Sequence, residues 1–292
     1  MRSHLASFDL RAPENLAEAL EILAREPGGW KPFAGGTDLM VLLEAGRLPP
    51  SRYLSVSQLP ELHGIEVTDD DIVLGAMTTY ADVLRSRVLQ VECPLLCRAA
   101  AETGGIATQN RGTLGGNIAN ASPAADSPPA LLVYDAEIEV RSLRGVRRVP
   151  YDRFHLGYKQ MDLAPDEIIV AIRVARGRGG WMQGWRKIGT RRAQAISKVC
   201  FAAALDMSRG AVHDVRIAYG SVAPMVIRAA HAEAAIRGRA PNGDAIAACC
   251  AALEQDIKPI DDLRSTAAYR LRVASNVLRD FLWTANPESD RT

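Results

Sequence analysis

The sequence predicts an α+β protein built from two domains. Its 292 residues are 48% hydrophobic and 24% charged, an ordinary composition for a folded chain of this length. The predicted strands and helices alternate irregularly and do not repeat the strand–helix unit of a doubly wound sheet. The clearest break in composition is the stretch RGRGG at residues 176–180, where we place the domain boundary.

Before this boundary, hydrophobic periodicity and turn residues predict a mixture of short elements. A helix over residues 13–25 has Leu16, Leu20 and Leu23 on one face and two glycines after its end. The remaining predicted elements are helices over 38–44, 79–84 and 94–102, a strand over 53–56, hairpins pairing 65–67 with 72–74 and 137–141 with 146–149, and a strand over 167–174.

After the boundary, the pattern predicts one long hairpin followed by helices. Residues 197–207 and 212–219 are rich in apolar residues and flank the turn Ser208–Arg209–Gly210. Helices are predicted over 228–236 and 244–255, and a last one over 265–281 begins with Ser265 as its cap.

Charge and composition exclude several classes of function. The formal net charge of +1 gives no basic field for binding nucleic acid. No apolar run reaches the length that a membrane helix needs, and the N-terminus lacks a hydrophobic signal core, so we expect a cytoplasmic protein without a membrane span. Five scattered cysteines and five scattered histidines match no metal-binding pattern, so we expect no metal site in this chain.

Two glycine-containing turns are the strongest functional signal from the residues themselves. FAGGTDL at 33–39 and TLGGN at 113–117 each place two glycines beside hydroxyl or amide side chains. Backbone N–H groups in such turns bind phosphate well, because they carry partial positive charge and glycine allows close approach. Each turn alone could equally be an ordinary turn followed by a helix cap. Together, and followed by a proline-rich apolar stretch with Asp126, they favour a dinucleotide site.

The chain resembles the FAD-binding medium subunits of the molybdenum hydroxylases, the family of carbon monoxide dehydrogenase and bacterial xanthine dehydrogenase. The resemblance covers nearly the whole chain. It is carried by five motifs: FAGGTDL (33–39), NRGTLGGNIANASPAADSPPALL (110–132), LAPDEIIVAIRV (163–174), RKIGTRRAQAISKV (186–199) and STAAYRLRVASNVL (265–278).

This resemblance implies a fold with named domains. Residues 1–176 would form a vanillyl-alcohol-oxidase or PCMH-type FAD-binding domain, with subdomains of about 1–57 and 58–176. Residues 177–292 would form a smaller α/β domain, the carbon monoxide dehydrogenase flavoprotein C-terminal domain.

The resemblance also implies which residues bind FAD. Two loops would hold the pyrophosphate, the first formed by Pro32, Phe33, Ala34, Gly35, Gly36, Thr37, Asp38 and Leu39 and the second by Thr113, Leu114, Gly115, Gly116 and Asn117. Asp126 matches an acidic position on the adenylate side. Ile169 and Lys187 match positions near the isoalloxazine ring, and Thr103 stands where some relatives have an aromatic ring. From the residues alone, Ile169 is simply a buried strand residue and Lys187 a solvated charge.

The function implied by the resemblance is electron transfer within a complex. The flavin would take electrons from a small 2Fe-2S subunit, in a complex that also contains a large molybdopterin subunit and is assembled as a dimer of heterotrimers. It would pass them to NAD, a quinone or another acceptor. No catalytic side chain is required. Two other hypotheses stay open: a scaffold subunit that has lost FAD, and a stand-alone flavin oxidase of the same fold.

Overall fold

The computed structural model describes residues 8–49, 51–191 and 194–286; residues 1–7, 50, 192–193 and 287–292 lie outside it. The strands are β1 (Asp9–Arg11), β2 (Trp30–Phe33), β3 (Arg52–Ser55), β4 (Ile65–Val67), β5 (Asp71–Gly75), β6 (Glu137–Ser142), β7 (Gly145–Pro150), β8 (His155–Gly157), β9 (Gln160–Met161), β10 (Ile168–Ala175), β11 (Met182–Ile188), β12 (Val199–Ser208), β13 (Ala211–Gly220) and β14 (Ile227–Arg228). The helices are α1 (Leu16–Arg25), α2 (Leu39–Glu44), α3 (Tyr80–Arg85), α4 (Arg87–Glu92), α5 (Pro94–Glu102), α6 (Ile106–Gln109), α7 (Leu114–Asn120), α8 (Pro128–Val133), α9 (Tyr151–Phe154), α10 (Ala230–Ile236), α11 (Gly243–Asp256) and α12 (Ala267–Thr284). None of the helices in these residues combines the length and apolarity needed to cross a bilayer.

The mixed α+β character predicted from the sequence is confirmed. The N-terminal part contains a parallel three-stranded sheet in the order β1-β3-β2, and the apolar face of α1 packs into the core beside it. The next part is an antiparallel five-stranded sheet in the order β4-β5-β10-β6-β7, whose core is shared with helices α3, α5, α7 and α8. The strand predicted over 167–174 is the central strand β10 of this sheet.

The C-terminal part is an antiparallel four-stranded sheet in the order β11-β12-β13-β14. The predicted long hairpin is β12 paired with β13, and helices α10, α11 and α12 cover one face of the sheet. The cap of the last helix lies one residue later than predicted. It is Thr266, whose hydroxyl accepts the backbone N–H of Tyr269, and not Ser265.

Five of the described helices were not predicted, namely α4, α6, α7, α8 and α9. Two of them, α7 and α8, lie in the glycine- and proline-rich stretch 113–133. Helix α7 runs through Gly115 and Gly116 because Thr113 caps it and the side chains of Leu114 and Ile118 are buried. Helix α8 starts with Pro128 and Pro129 in its first turn, where a missing N–H costs nothing, and all of its residues are buried. Tertiary burial therefore overrides the low helix propensity of glycine and proline here.

The parts on either side of the predicted boundary are joined by ion pairs around Asp135. This carboxylate contacts the guanidinium groups of Arg178, Arg216 and Arg228. Asp135 follows α8, Arg178 lies in the RGRGG stretch, and the other two arginines lie on β13 and β14. The stretch 176–180 therefore connects two parts of the chain that these ion pairs hold together.

A buried histidine on β8 makes the stability of the protein depend on pH. His155 is 4% exposed, packs against Tyr151 and Phe154, and its Nε2–H donates to the carbonyl of Ile118 at 3.0 Å. Burial lowers the pKa of His155 below its usual value of about 6.5, so the unfolded chain binds a proton more readily than the folded chain. The contribution of His155 to stability is therefore fully present above about pH 6.5 and is lost as the pH falls below it.

We expect the replacement His155→Gln to reduce the loss of stability at acidic pH. Glutamine keeps an N–H donor but does not titrate, so the free energy of unfolding should fall less steeply between about pH 7.5 and 5.5. Urea unfolding at a series of pH values measures the slope. His213→Gln is the control, because its imidazole is exposed on the surface. Equal slopes for His155→Gln and the unmodified chain would contradict this assignment.

Candidate functional site

The first glycine loop carries a row of unused backbone donors. It connects the end of β2 at Phe33 to the start of α2 at Leu39. The N–H groups from Gly35 to Leu39 have no acceptor among the described residues. Gly36 has a φ of 74°, a left-handed conformation that turns the chain between extended strand and helix. Consecutive free N–H groups in such a turn form an anion-binding concavity.

The two glycine loops pack directly against each other. A Cβ on Gly35 would lie 1.7 Å from the carbonyl oxygen of Arg111, and the side chain of Arg111 reaches back to the carbonyl of Gly35. A Cβ on Gly116 would lie 2.8 Å from the hydroxyl of Thr113 and 3.6 Å from the Cβ of Ala34. Gly35 is therefore required by the close approach of the two loops, and Gly116 by the capping hydroxyl of its own loop. Neither glycine has a positive φ.

The second loop differs from the first in its hydrogen bonding. Its glycines lie in the first turn of α7, and most of the N–H groups there already have protein acceptors. Leu114 and Gly115 donate to the carbonyls of Thr78 and Ala76, and Gly116 donates to the hydroxyl of Thr113 at 3.1 Å. The second loop thus supplies a wall and the dipole of a helix terminus, while the first loop supplies the free donors.

Both loops line one cleft of about 280 Å³. Ten of the residues predicted for the cofactor meet there: Pro32, Ala34, Gly35, Gly36, Thr37, Asp38, Leu39, Thr113, Gly116 and Asn117. The amide oxygen of Asn117 accepts the hydroxyl of Ser127, which leaves its NH₂ group for the cleft. The cleft is smaller than a typical site for a whole cofactor, so it fits only the central part of a dinucleotide.

Seven other predicted residues do not line this cleft. Phe33 packs edge-on against Tyr53, Leu114 is fully buried in the core, and Gly115 packs on Ala76. Thr103 bonds the carbonyl of Ala99 at the end of its own helix, and Ile169 is a buried strand residue. For Ile169, the structure therefore favours the plain interpretation of a core residue.

The remaining two predicted residues, Asp126 and Lys187, bind each other. The Nζ of Lys187 lies 2.6 Å from one oxygen of Asp126, and the hydroxyl of Ser197 donates to the other oxygen at 2.6 Å. The Nζ of Lys187 also donates to the carbonyl of Glu102 at 3.0 Å. Burial raises the pKa of Asp126, although Lys187 and Ser197 oppose this effect.

This ion pair brings two of the predicted roles into conflict. The resemblance placed Asp126 at the adenylate end of the cofactor and Lys187 at the isoalloxazine end. Two side chains whose charged atoms lie 2.6 Å apart cannot contact opposite ends of an extended dinucleotide. Lys187 is also not a solvated charge, because its side chain is only 5% exposed.

A second and larger cleft, of about 630 Å³, begins where the first one ends. The two clefts share Asp38. The second cleft continues past the end of α7 through Ser122 and Pro123 and reaches Ser197, which holds Asp126. It is lined by residues from both sides of the predicted boundary.

Both parts of the chain match models of known protein families. Residues 6–176 match the model of the FAD binding domain in molybdopterin dehydrogenase, and residues 186–285 match the CO dehydrogenase flavoprotein C-terminal domain. The chain belongs to the FAD-binding medium subunits of the molybdenum hydroxylases. FAD is the cofactor of this family, and its members are subunits of oxidoreductases of the xanthine dehydrogenase and carbon monoxide dehydrogenase type.

Individual relatives of this medium subunit are similar over most of their length. The chain is 32% identical to the xanthine dehydrogenase FAD-binding subunit of Escherichia coli O157:H7, over 90% of this chain and 91% of that protein. It is 30% identical to the carbon monoxide dehydrogenase medium chain of Hydrogenophaga pseudoflava, over 93% and 94%. Carbon monoxide dehydrogenase from H. pseudoflava, solved lacking the Mo-pyranopterin moiety of the molybdenum cofactor, superimposes with a TM-score of 0.90 at 31% identity, covering 96% of this chain and 98% of that one. Quinoline 2-oxidoreductase from Pseudomonas putida 86 gives a TM-score of 0.87 at 26% identity, covering 97% and 98%.

Several residues that line the first cleft of this medium subunit were missed from the sequence. They are Lys31, Tyr53, Tyr80, Gly112, Ala119 and Asn120. Ala119 and Asn120 could have been found only by recognising that the second glycine motif is a helix. Tyr80 is far from both motifs in sequence and joins the cleft because its N–H bonds the carbonyl of Gly112.

Proposed function

We propose that this chain binds FAD with its pyrophosphate on the first glycine loop. The observation that carries the proposal is the row of free N–H groups from Gly35 to Leu39 facing the first cleft. A pyrophosphate offers the anionic oxygens that such donors need, and the close packing of the two loops at Gly35 sets both beside one cleft. Asn117 would add an amide donor from the opposite wall.

The two ends of the cofactor would extend from this central cleft. Because Ser197 lines the second cleft and donates to Asp126, which in turn pairs with Lys187, we assign all three to one end of FAD. The resemblance places Lys187 near the isoalloxazine, and Thr103 follows Glu102, whose carbonyl accepts the Lys187 ammonium group. We therefore assign this cluster to the flavin end and withdraw Asp126 from the adenylate end.

The proposed role of the chain in its complex is electron transfer. FAD, when bound, supplies redox chemistry that can accept electrons singly and release them in pairs. The protein would hold the ring between its two domains beside the Asp126–Lys187 pair. We propose a small 2Fe-2S subunit as the electron donor and a large molybdopterin subunit as the site of substrate oxidation, in a dimer of heterotrimers. NAD is the proposed acceptor, with a quinone as the other candidate.

The absorption spectrum of the purified chain tests the FAD proposal. We expect flavin bands that survive desalting after addition of FAD and bleach with dithionite. FMN is the matched control ligand, because it carries the same ring but lacks the pyrophosphate and the adenosine. Retention of FAD but not FMN supports the proposed loop. Equal retention of both, or of neither, contradicts it, and the latter result favours the scaffold that has lost FAD.

Copurification distinguishes the proposed electron-transfer subunit from a stand-alone oxidase. We expect the chain to copurify with an iron–sulfur subunit and a molybdenum-containing subunit. Reduction of oxygen by the isolated FAD-loaded chain with an organic substrate would instead support the oxidase.

A further inference from the structure

The side chain that holds the amide of Asn117 belongs to neither glycine loop. The hydroxyl of Ser127 donates to the side-chain oxygen of Asn117 at 2.8 Å, and Ser127 is only 1% exposed. Asn117 lies on α7 and lines the first cleft, whereas Ser127 directly precedes α8. This hydrogen bond therefore connects a side chain of the first cleft to the start of a second helix.

Ser127 can bind Asn117 because its hydroxyl is not used to cap its own helix. A serine in front of a helix usually accepts the N–H of the second or third helical residue. The first two residues of α8 are Pro128 and Pro129, and a proline has no N–H to donate. The hydroxyl of Ser127 caps none of the N–H groups of α8. The sequence Ser-Pro-Pro thus leaves this hydroxyl for a contact outside the helix.

Tyr80 approaches the same hydroxyl from a third segment of the chain. Tyr80 is 3% exposed, lines the first cleft and packs against Gly112, where a Cβ would lie 2.9 Å from ring atom Cε2. Burial raises the pKa of Tyr80, and a hydrogen bond with Ser127 opposes this effect. Because its pKa is raised, the phenol keeps its proton at neutral pH and can donate it.

The two contacts of Ser127 give these hydrogen bonds one direction. A serine hydroxyl has a single proton. With Tyr80 donating to the oxygen of Ser127, that proton is left for Asn117, whose amide oxygen is the acceptor. An amide held by its oxygen presents its NH₂ group on the other side, toward the cleft. Without this contact the amide could rotate and present its oxygen, which repels phosphate.

We propose that Ser127 and Tyr80 are positioning residues of the phosphate site, which hold the Asn117 amide so that it donates to the pyrophosphate of FAD. Ser127 acts through Asn117, and Tyr80 acts through Ser127. A donor that is already oriented loses less freedom when the anion binds. The inference rests on the proposed function, because it requires the pyrophosphate to lie in the first cleft.

Titration of FAD into the FAD-free chain, followed by flavin fluorescence, tests the role of Ser127. We expect Ser127→Ala to weaken FAD binding about tenfold, because the hydrogen bond to a charged phosphate is lost or misdirected. Asn117→Ala should weaken binding by a similar factor. The double variant Ser127→Ala, Asn117→Ala should bind FAD no more weakly than Asn117→Ala alone, whereas a merely structural role of Ser127 would give additive losses.

The role of Tyr80 is tested by removing its hydroxyl alone. Tyr80→Phe keeps the ring and should weaken FAD binding about threefold. The matched control is Tyr151→Phe, because the hydroxyl of Tyr151 is also buried but has no hydrogen-bond partner among the described residues. This control should bind FAD like the unmodified chain. Unchanged FAD binding by Tyr80→Phe would overturn the role of Tyr80.

ADP distinguishes failure of this inference from failure of the proposed function. ADP carries the pyrophosphate without the flavin, so the variants should lose affinity for ADP and for FAD by the same factors. Unchanged affinity for either ligand in a folded Ser127→Ala protein, or additive losses in the double variant, overturns the inference and leaves the FAD proposal intact if the unmodified chain retains FAD. An unmodified chain that binds ADP but not FAD contradicts the proposed function alone, and the ADP affinities still test Ser127. An unmodified chain that binds neither contradicts both.

Discussion

The replacement Gly35→Val is expected to abolish retention of FAD. The added side chain would begin 1.7 Å from the carbonyl oxygen of Arg111, a backbone atom that cannot move without separating the two glycine loops. Overpacking of this kind forces backbone shifts, and a shift here would misdirect the free N–H groups from Gly35 to Leu39. We expect FAD affinity to fall about a hundredfold or more. The flavin absorbance that remains after desalting measures this effect.

The matched control is Gly180→Val, the same substitution at a glycine whose Cβ would meet no atom within 4 Å. It should retain FAD fully. Thermal unfolding of both variants separates loss of the site from loss of the fold. Normal FAD retention by a folded Gly35→Val protein would show that the loop is not the phosphate site.

The replacement Lys187→Met is expected to destabilise the protein by about 3–5 kcal/mol, because it leaves a buried carboxylate without its ammonium partner. The side chains of Asp126 and Lys187 are only 10% and 5% exposed, so water cannot replace the lost contact. The double variant Asp126→Asn, Lys187→Met removes both charges and should recover most of the lost stability. Urea unfolding of the two single variants and the double variant gives the coupling energy.

The same variants test whether the pair lies at the flavin end of the cofactor. Lys187→Met leaves one net negative charge and should lower the flavin midpoint potential, and Asp126→Asn leaves one net positive charge and should raise it. In the double variant the two effects should largely cancel. Stability changes of the expected size with an unchanged potential in every variant would place the pair away from the isoalloxazine ring. Ser197→Ala is a useful control, because it removes a donor to Asp126 without changing the net charge.

Much of the fold could be predicted from the sequence where the signal is local. The predicted helix over 94–102 matches α5, and Thr79 caps α3 through a reciprocal hydrogen bond with Asp82. Hairpins whose strands flank short turns, such as β6 with β7, were also found. In each case, periodicity, turn residues and capping side chains lie within a few positions of one another, so no distant contact is needed to define the element.

The sequence by itself determined the family and the cofactor, because the motifs that carry the resemblance, including the two glycine loops, are short and contiguous. Only the tertiary structure decided what each of the two loops contributes to the site. It decided that the first loop has free N–H groups while those of Leu114, Gly115 and Gly116 are used internally, since their acceptors lie on other segments. It also decided that Asp126 and Lys187 form a single buried pair, because residues 61 positions apart can be brought into contact only by the packing of one domain against the other.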